Sequence, residues 1–107
     1  MNRLTLNDLE QRIRERATAG AEESYTRTLL DRGVAHCARK LGEESLETVL
    51  AAVAEDRARL VAESADLLYH LLVLLHARGI ALSEVEAELW QRRGKSRPGP
   101  KANSSPS

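Results

Sequence analysis

Aromatic side chains and cysteine are scarce in this sequence of 107 residues. Phenylalanine is absent, the aromatic residues are two tyrosines and one tryptophan, and Cys37 is the single cysteine. The hydrophobic core must therefore be built from leucine, valine, isoleucine and alanine. One cysteine cannot form a disulfide within the chain. Cys37 lies on an apolar helical face, where we expect a small core residue rather than a catalytic thiol.

The chain also lacks an excess of charge of either sign, with 16 basic and 16 acidic residues. Three of the basic residues, Lys95, Arg97 and Lys101, lie near the C-terminus, so residues 1–94 carry 13 basic and 16 acidic groups. This balance argues against a general nucleic-acid binder. It does not exclude an anionic substrate, because a bound metal ion would invert the local charge.

Long hydrophobic runs are missing as well. The most apolar segment, residues 67–75, is shorter than the about 20 residues that span a bilayer; Asp66 precedes it and His70 interrupts it. Near the N-terminus Asn7, Asp8 and Glu10 interrupt any apolar segment, so no signal peptide is predicted. We therefore expect a soluble, cytoplasmic protein with no membrane partner.

Helical periodicity dominates what is present, and it predicts an all-α fold: an antiparallel bundle of about four to five helices. The domain is expected over residues 1–93 and a disordered tail, rich in glycine, proline and serine, over 94–107. Residues 67–75 are apolar nearly all round, so that helix should be buried, and dimerisation should complete the bundle. The predicted helices cover 5–19, 24–33, 34–55 (with Gly42 inside), 56–78 before Gly79, and a last one opened by a capping box from Ser83 to Glu86.

Five acidic residues form two groups on the third and fourth of these helices. Glu44 and Glu47 share one helical face with Glu43 beside them, and Glu63 and Asp66 form a second pair. We expect no basic residue to pair these acids within the motif. So many carboxylates repel one another unless a cation joins them, and Mg²⁺ prefers oxygen ligands. Glu44, Glu47, Glu63 and Asp66 are the predicted metal ligands, with Glu43 completing the shell or orienting a water. The alternative is a solvated acidic surface.

Three neighbouring residues have two interpretations each. Lys40 lies one turn before Glu44, where it forms a structural salt bridge or neutralises a substrate phosphate. Tyr69 packs with its hydroxyl bonded to a carboxylate or contacts the substrate. His70 is expected to be a hydrogen-bonded core histidine rather than a catalyst.

Several separated sequence motifs resemble those of one enzyme family. They are SYT at 24–26, KLGEE at 40–44 and DLLYHLLVLL at 66–75, together with the paired acids. They look like the phosphoribosyl-ATP pyrophosphatases of the all-alpha nucleotide pyrophosphohydrolase superfamily. The resemblance covers roughly residues 4–93.

This resemblance implies Mg²⁺-dependent hydrolysis of 1-(5-phosphoribosyl)-ATP to 1-(5-phosphoribosyl)-AMP and pyrophosphate, the second step of histidine biosynthesis. Catalysis would rest on Glu43, Glu44 and Glu47. It also implies that Ser24 and Tyr25 lie close to the active site, whereas the sequence by itself predicts Ser24 as an ordinary N-cap of the helix at 24–33. The resemblance further implies that the enzyme is a homodimer or an assembly of dimers. Two alternatives stay open: a housekeeping dNTP pyrophosphatase of the same superfamily, and a non-catalytic helical adaptor.

Overall fold

The computed structural model describes residues 3–20, 24–54 and 56–94, and these residues form five α-helices. They are α1 (Leu6–Ala17), α2 (Tyr25–Asp31), α3 (Val34–Ala54), α4 (Arg57–Ala77) and α5 (Leu82–Arg92). No strand occurs within the described ranges. The predicted all-α fold is therefore confirmed. The predicted tail, apart from Gly94, lies outside the described residues.

The helix boundaries follow from local capping. Thr5 and Asp8 form a reciprocal pair at the start of α1: the Asp8 amide donates to Thr5 Oγ1 at 3.0 Å, and the Thr5 amide donates to Asp8 Oδ2 at 3.1 Å. Asp56 caps α4 by accepting from the Arg59 amide at 2.9 Å. Gly79 follows α4 with a φ of +71°, a left-handed conformation that favours glycine at a helix end.

The start of α5 differs from the prediction. The prediction of a capping box that begins at Ser83 is wrong, because the helix already starts at Leu82 with Ala81 as its N-cap. The Glu84 carboxylate accepts from the Ala81 amide at 3.1 Å, and Glu10 of α1 accepts from the Leu82 amide at 2.7 Å. A carboxylate from a distant helix thus satisfies a free N–H of the first turn, which no local pattern reveals.

Helices α3 and α4 are the longest elements and form an antiparallel hairpin. The shared hydrophobic core lies at one end of it, against α1, α2 and α5. Every helix contributes to this core, which comprises Ile13, Leu29, Cys37, Leu72, Val73 and Leu82. Cys37 is a buried core residue, as expected.

The outer surface of the hairpin is apolar and exposed in the single chain. We call four residues of α3 the outer stripe; each is at least 50% exposed, and they are Leu46, Val49, Leu50 and Val53. Their spacing of three and four residues places them on one face of the helix. On α4, Leu68 and Leu71 are also exposed. The expected burial of the apolar α4 helix is therefore met on only one of its faces.

Helix α4 is long and apolar enough to cross a membrane by length and composition alone, with a mean hydropathy of 1.4 over 18 residues. The sequence prediction considered only the shorter run at 67–75. A core helix of a soluble protein passes the same test. Here α4 packs along α3 and supplies Leu72 and Val73 to the core.

Candidate metal and nucleotide site

Three carboxylates come together where α3 and α4 run side by side. One oxygen each from Glu44, Glu63 and Asp66 lie within 4.8 Å of one another. Glu63 and Asp66 are three residues apart on α4 and share a face, while Glu44 reaches them from α3. These residues are three of the four metal ligands predicted from the sequence.

Thr48 ties together the two turns that hold these acids. Its hydroxyl oxygen lies 2.8 Å from the carbonyl oxygen of Glu44 on α3 and 3.2 Å from the carbonyl oxygen of Glu63 on α4. Since the hydroxyl has one proton, it donates to both carbonyls in a shared bond. No role in the site was predicted for Thr48 from the sequence, because its partner on α4 becomes visible only when the hairpin is formed.

The cluster contains buried carboxylate oxygens that have no donor. Glu63 is only 4% exposed. Its Oε2 atom lies 2.6 Å from the Arg59 guanidinium. Its Oε1 atom and Oε1 of Glu44 are buried without a hydrogen-bond partner among the residues that the structure describes. Such oxygens are costly to bury, and each one calls for an explanation.

The charges around Glu63 are also unfavourable for an ionised carboxylate. Burial raises the pKa of Glu63, and the negative charges of Glu47, Glu44 and Asp66 raise it further, while Arg59 opposes them. A hard divalent cation would relieve both the repulsion and the missing donors. The 4.8 Å span of the three oxygens is close to the about 4–5 Å between opposite oxygens around Mg²⁺ or Ca²⁺. The residues present therefore fit such an ion.

The expectation that no basic residue pairs the acids is wrong at two positions. Arg59 forms an ion pair with Glu63, and Lys40 Nζ lies 3.1 Å from Glu43 Oε1. Arg59 precedes Glu63 by four residues, and Lys40 precedes Glu43 by three, which are the spacings at which helical ion pairs form. The signal was thus present in the sequence, and Lys40 pairs with Glu43 rather than with Glu44.

Two predicted acids lie outside the group of three. Glu47 is exposed on α3, one turn beyond Glu44, and only its charge reaches Glu63. Glu43 is exposed at the side of the site, and its hydrogen bond to Lys40 lowers its pKa. The structure thus brings together three of the five predicted acids. The roles of Glu43 and Glu47 stay predictions.

Ser24 serves the backbone of the fold. Its buried hydroxyl accepts from the Arg27 amide at 3.0 Å and donates to the Arg16 carbonyl oxygen at 3.3 Å. The predicted N-cap role is therefore confirmed, and a substrate role stays a prediction. The next polar pair links two helices: the hydroxyls of Thr26 and Tyr69 lie 2.5 Å apart. Tyr69 thus bonds to a hydroxyl of α2 where a carboxylate was expected.

His70 connects Tyr25 to the turn that carries Asp66. Its Nδ1 atom lies 2.8 Å from the Asp66 carbonyl oxygen, so Nδ1 carries the proton and donates. Nε2 is then an acceptor, and the Tyr25 hydroxyl donates to it at 3.3 Å. His70 is buried, as expected of a hydrogen-bonded core histidine. The rings of Tyr25 and Tyr69 stack with centroids 6.2 Å apart, and the Tyr25 side chain is exposed to solvent.

Comparison with known proteins gives consistent matches. A family model described as phosphoribosyl-ATP pyrophosphohydrolase matches residues 6–93. A phosphoribosyl-ATP pyrophosphatase 1 of Bradyrhizobium diazoefficiens is 62% identical over 96 residues, covering 90% of this chain and 91% of the relative. A phosphoribosyl-ATP pyrophosphatase of Azorhizobium caulinodans is 58% identical over 95 residues, covering 89% and 87%. One of Nitrobacter winogradskyi is 59% identical over 92 residues, covering 86% and 79%. The matched residues include the whole carboxylate cluster.

Proposed function

Because this chain belongs to the phosphoribosyl-ATP pyrophosphohydrolase family, we propose that its carboxylate cluster performs that family's reaction with Mg²⁺. The enzyme hydrolyses 1-(5-phosphoribosyl)-ATP to 1-(5-phosphoribosyl)-AMP and pyrophosphate in histidine biosynthesis. The observation that carries the metal site is the pair of buried oxygens, on Glu44 and Glu63, that lack a donor within the described part of the chain.

Glu44, Glu63 and Asp66 would hold the ion, with Glu47 joining them from the next turn of α3. A bound Mg²⁺ would supply positive charge at the site and so neutralise negative charge on the substrate phosphates. Arg59 offsets one negative charge and holds the Glu63 carboxylate in place at 2.6 Å. The cluster can therefore form before the ion arrives.

Water is the proposed nucleophile. Cys37 is buried in the core, and burial raises the pKa of its thiol, so it offers no thiolate. Glu43, which Lys40 keeps ionised by lowering its pKa, is an exposed acceptor that can orient a water molecule. Lys40 is placed to neutralise a phosphate oxygen. Tyr25 and Tyr69 offer an aromatic surface for the substrate one turn from Asp66.

The test is pyrophosphate release from phosphoribosyl-ATP, with and without Mg²⁺. We expect Mg²⁺-dependent release that falls at least about 100-fold in Glu63→Gln, equivalent to about 2.7 kcal/mol of barrier. Glu47→Gln falls similarly if Glu47 is a ligand. Glu86→Gln, an exposed acid on α5, is the matched control and should keep wild-type activity. Release that needs no divalent ion, or a Glu63→Gln variant with full activity, contradicts the proposed metal site.

A panel of other nucleotides tests the substrate in the same assay. If the protein released pyrophosphate from dNTPs but not from phosphoribosyl-ATP, it would be a housekeeping pyrophosphatase. If no nucleotide were hydrolysed, the adaptor interpretation would replace the enzymatic one. The relatives described above favour phosphoribosyl-ATP, because all three are named for it.

We further propose a homodimer, formed through the outer stripe of α3. Leu46 is 59% exposed and Val53 is 77% exposed, although both belong to a continuous apolar face. A second copy of the hairpin would cover this face and complete a four-helix arrangement of α3 and α4 pairs. We also propose that the enzyme is soluble and cytoplasmic; Glu63, Asp66 and His70 support this, since they would be costly inside a bilayer.

Light scattering after size exclusion tests the dimer. Leu46→Glu puts a charge into the proposed interface and should yield a monomer. Leu89→Glu changes a leucine of nearly the same exposure, 61%, on α5, and should leave the dimer intact. A monomeric wild-type protein would contradict the proposal, and so would a Leu46→Glu variant that remains dimeric.

A further inference from the structure

A cavity lies between α1, α2 and α4. Its volume is about 160 Å³, and it is lined by Leu9, Arg12, Ile13, Arg16, Thr26 and Tyr69. Pockets that enclose a whole small-molecule ligand measure about 300–1,000 Å³. This cavity is therefore too small for a nucleotide, but it has room for one small polar group at the end of a larger ligand.

The charged groups of this cavity favour an anion. Arg12 and Arg16 are four residues apart on α1 and share a face, so their charges repel each other. Neither guanidinium has an ion-pair partner among the residues that the structure describes. Both arginines line this one space, and arginine binds phosphate groups through paired hydrogen bonds.

The hydroxyl pair supplies a further donor. Thr26 and Tyr69 share one hydrogen bond, in which either hydroxyl is the donor. That bond uses one of their two protons, and the other proton remains free to bind a ligand oxygen. Burial raises the pKa of Tyr69, so its phenol stays neutral and keeps its proton. The cavity thus combines two cations with a neutral donor.

Its position relates it to the catalytic cluster. Tyr69 lines the cavity and follows Asp66 by three residues on α4, a rise of about 4.5 Å along the helix. The two sites are therefore neighbours of opposite charge. The acidic one needs a cation to receive the triphosphate, whereas the basic one can receive an anionic group directly.

We propose that the Arg12–Arg16 cavity binds the 5-phosphate of the phosphoribosyl group of the substrate, and so selects phosphoribosyl-ATP over ordinary nucleoside triphosphates. This inference rests on the proposed function. ATP and dNTPs carry a triphosphate but no second phosphate at the opposite end. The residues that line the cavity lie on α1, α2 and α4, and none of them is an acid that would hold the metal. Substrate selectivity and hydrolysis can therefore be tested separately.

The first experiment measures binding without catalysis. Ribose 5-phosphate is titrated into the full-length protein while the backbone amide signals of Thr26 and Tyr69 are followed by NMR. We expect saturable shifts in the wild type, and a dissociation constant about 100-fold higher in Arg12→Gln/Arg16→Gln, as the loss of two charge-assisted contacts implies. The matched control is Arg14→Gln on the same helix, because Arg14 pairs with Glu10 at 3.4 Å and lines a different cavity.

The second experiment measures selectivity. In the double variant, KM for phosphoribosyl-ATP should rise about 100-fold, with a smaller change in kcat, and the preference for phosphoribosyl-ATP over dATP should fall accordingly. The Arg14→Gln control should keep the wild-type preference. Equal losses on both substrates would overturn the inference, because the arginines would then serve the triphosphate or the fold.

Failure of the inference can be told apart from failure of the proposed function. A wild-type enzyme that hydrolyses phosphoribosyl-ATP but shows no saturable binding of ribose 5-phosphate overturns only the phosphate subsite. A wild-type protein that releases no pyrophosphate from phosphoribosyl-ATP overturns both. Circular dichroism of each variant excludes loss of the helical fold as the cause of any change.

Discussion

The hydrogen bond between Tyr69 and Thr26 links α4 to α2 and can be tested quantitatively. The two hydroxyl oxygens are 2.5 Å apart, and Thr26 is only 5% exposed. Tyr69→Phe removes one partner and leaves the buried hydroxyl of Thr26 unsatisfied, which costs about 1–3 kcal/mol. We expect the free energy of unfolding to fall by this amount. For a domain of this size, the melting temperature falls by roughly 4–8 °C per kcal/mol.

A double-mutant cycle isolates the bond itself. Thr26→Val removes the other hydroxyl while nearly keeping the shape of the side chain. The double variant has no unsatisfied hydroxyl, so it should lose less stability than the sum of the two single variants, with a coupling of about 1 kcal/mol or more. The stability of all four proteins is measured by urea unfolding at one fixed protein concentration, because the proposed dimer would make stability depend on concentration. Additive effects, within about 0.5 kcal/mol, would refute the reasoning.

Three further perturbations have definite expected outcomes. The pKa of Glu63 is raised by burial and by neighbouring acids, so the Glu63 carboxyl binds a proton more tightly in the folded, metal-free protein than in the unfolded chain. Protonation of Glu63 therefore stabilises the fold at pH values below the ordinary carboxyl pKa. This stabilisation is lost as pH rises through the raised pKa. Melting temperatures across pH should show this loss without metal, and Glu63→Gln should remove it. Glu10→Gln weakens the bond to the Leu82 amide and should lower unfolding free energy by about 0.5–2 kcal/mol in urea titrations, whereas an unchanged value would show that α5 docks without this cap. Gly42→Ala should stabilise α3 by about 1 kcal/mol, because the added methyl group meets nothing within 4 Å; a fall in stability would reveal a contact made only in the proposed dimer.

The sequence predicted the elements that depend on local signals. Gly79 marked the end of α4, and the spacing of Glu63 and Asp66 placed them on one face. These predictions succeeded because capping and helical periodicity involve residues within about one turn. Arg59 was missed although it lies four residues from Glu63, since the acids were considered among themselves.

Contacts between distant helices could not be predicted in the same way. The start of α5 depends on Glu10, which lies 72 residues before Leu82 in the chain. The register of the hairpin depends on Thr48, and the partner of Tyr69 lies 43 residues before it on α2. Each contact requires two helices to be placed first, and a single sequence contains no signal that pairs those residues.

The architecture of α3 explains how a fold can tolerate its own carboxylate cluster. Without metal, the buried oxygens of Glu44 and Glu63 oppose folding, because they lack donors and repel each other. Other contacts of the same hairpin must therefore offset this cost and stabilise the folded state. The outer stripe, from Leu46 to Val53, lies about 180° around α3 from Glu44 and Thr48, as the spacing of 100° per residue requires. In the proposed dimer, burial of the stripe would hold α3 from one side while the metal joins it to α4 on the other. Dimerisation and metal binding would then stabilise the same helix, which ties the assembly of the enzyme to the formation of its active site.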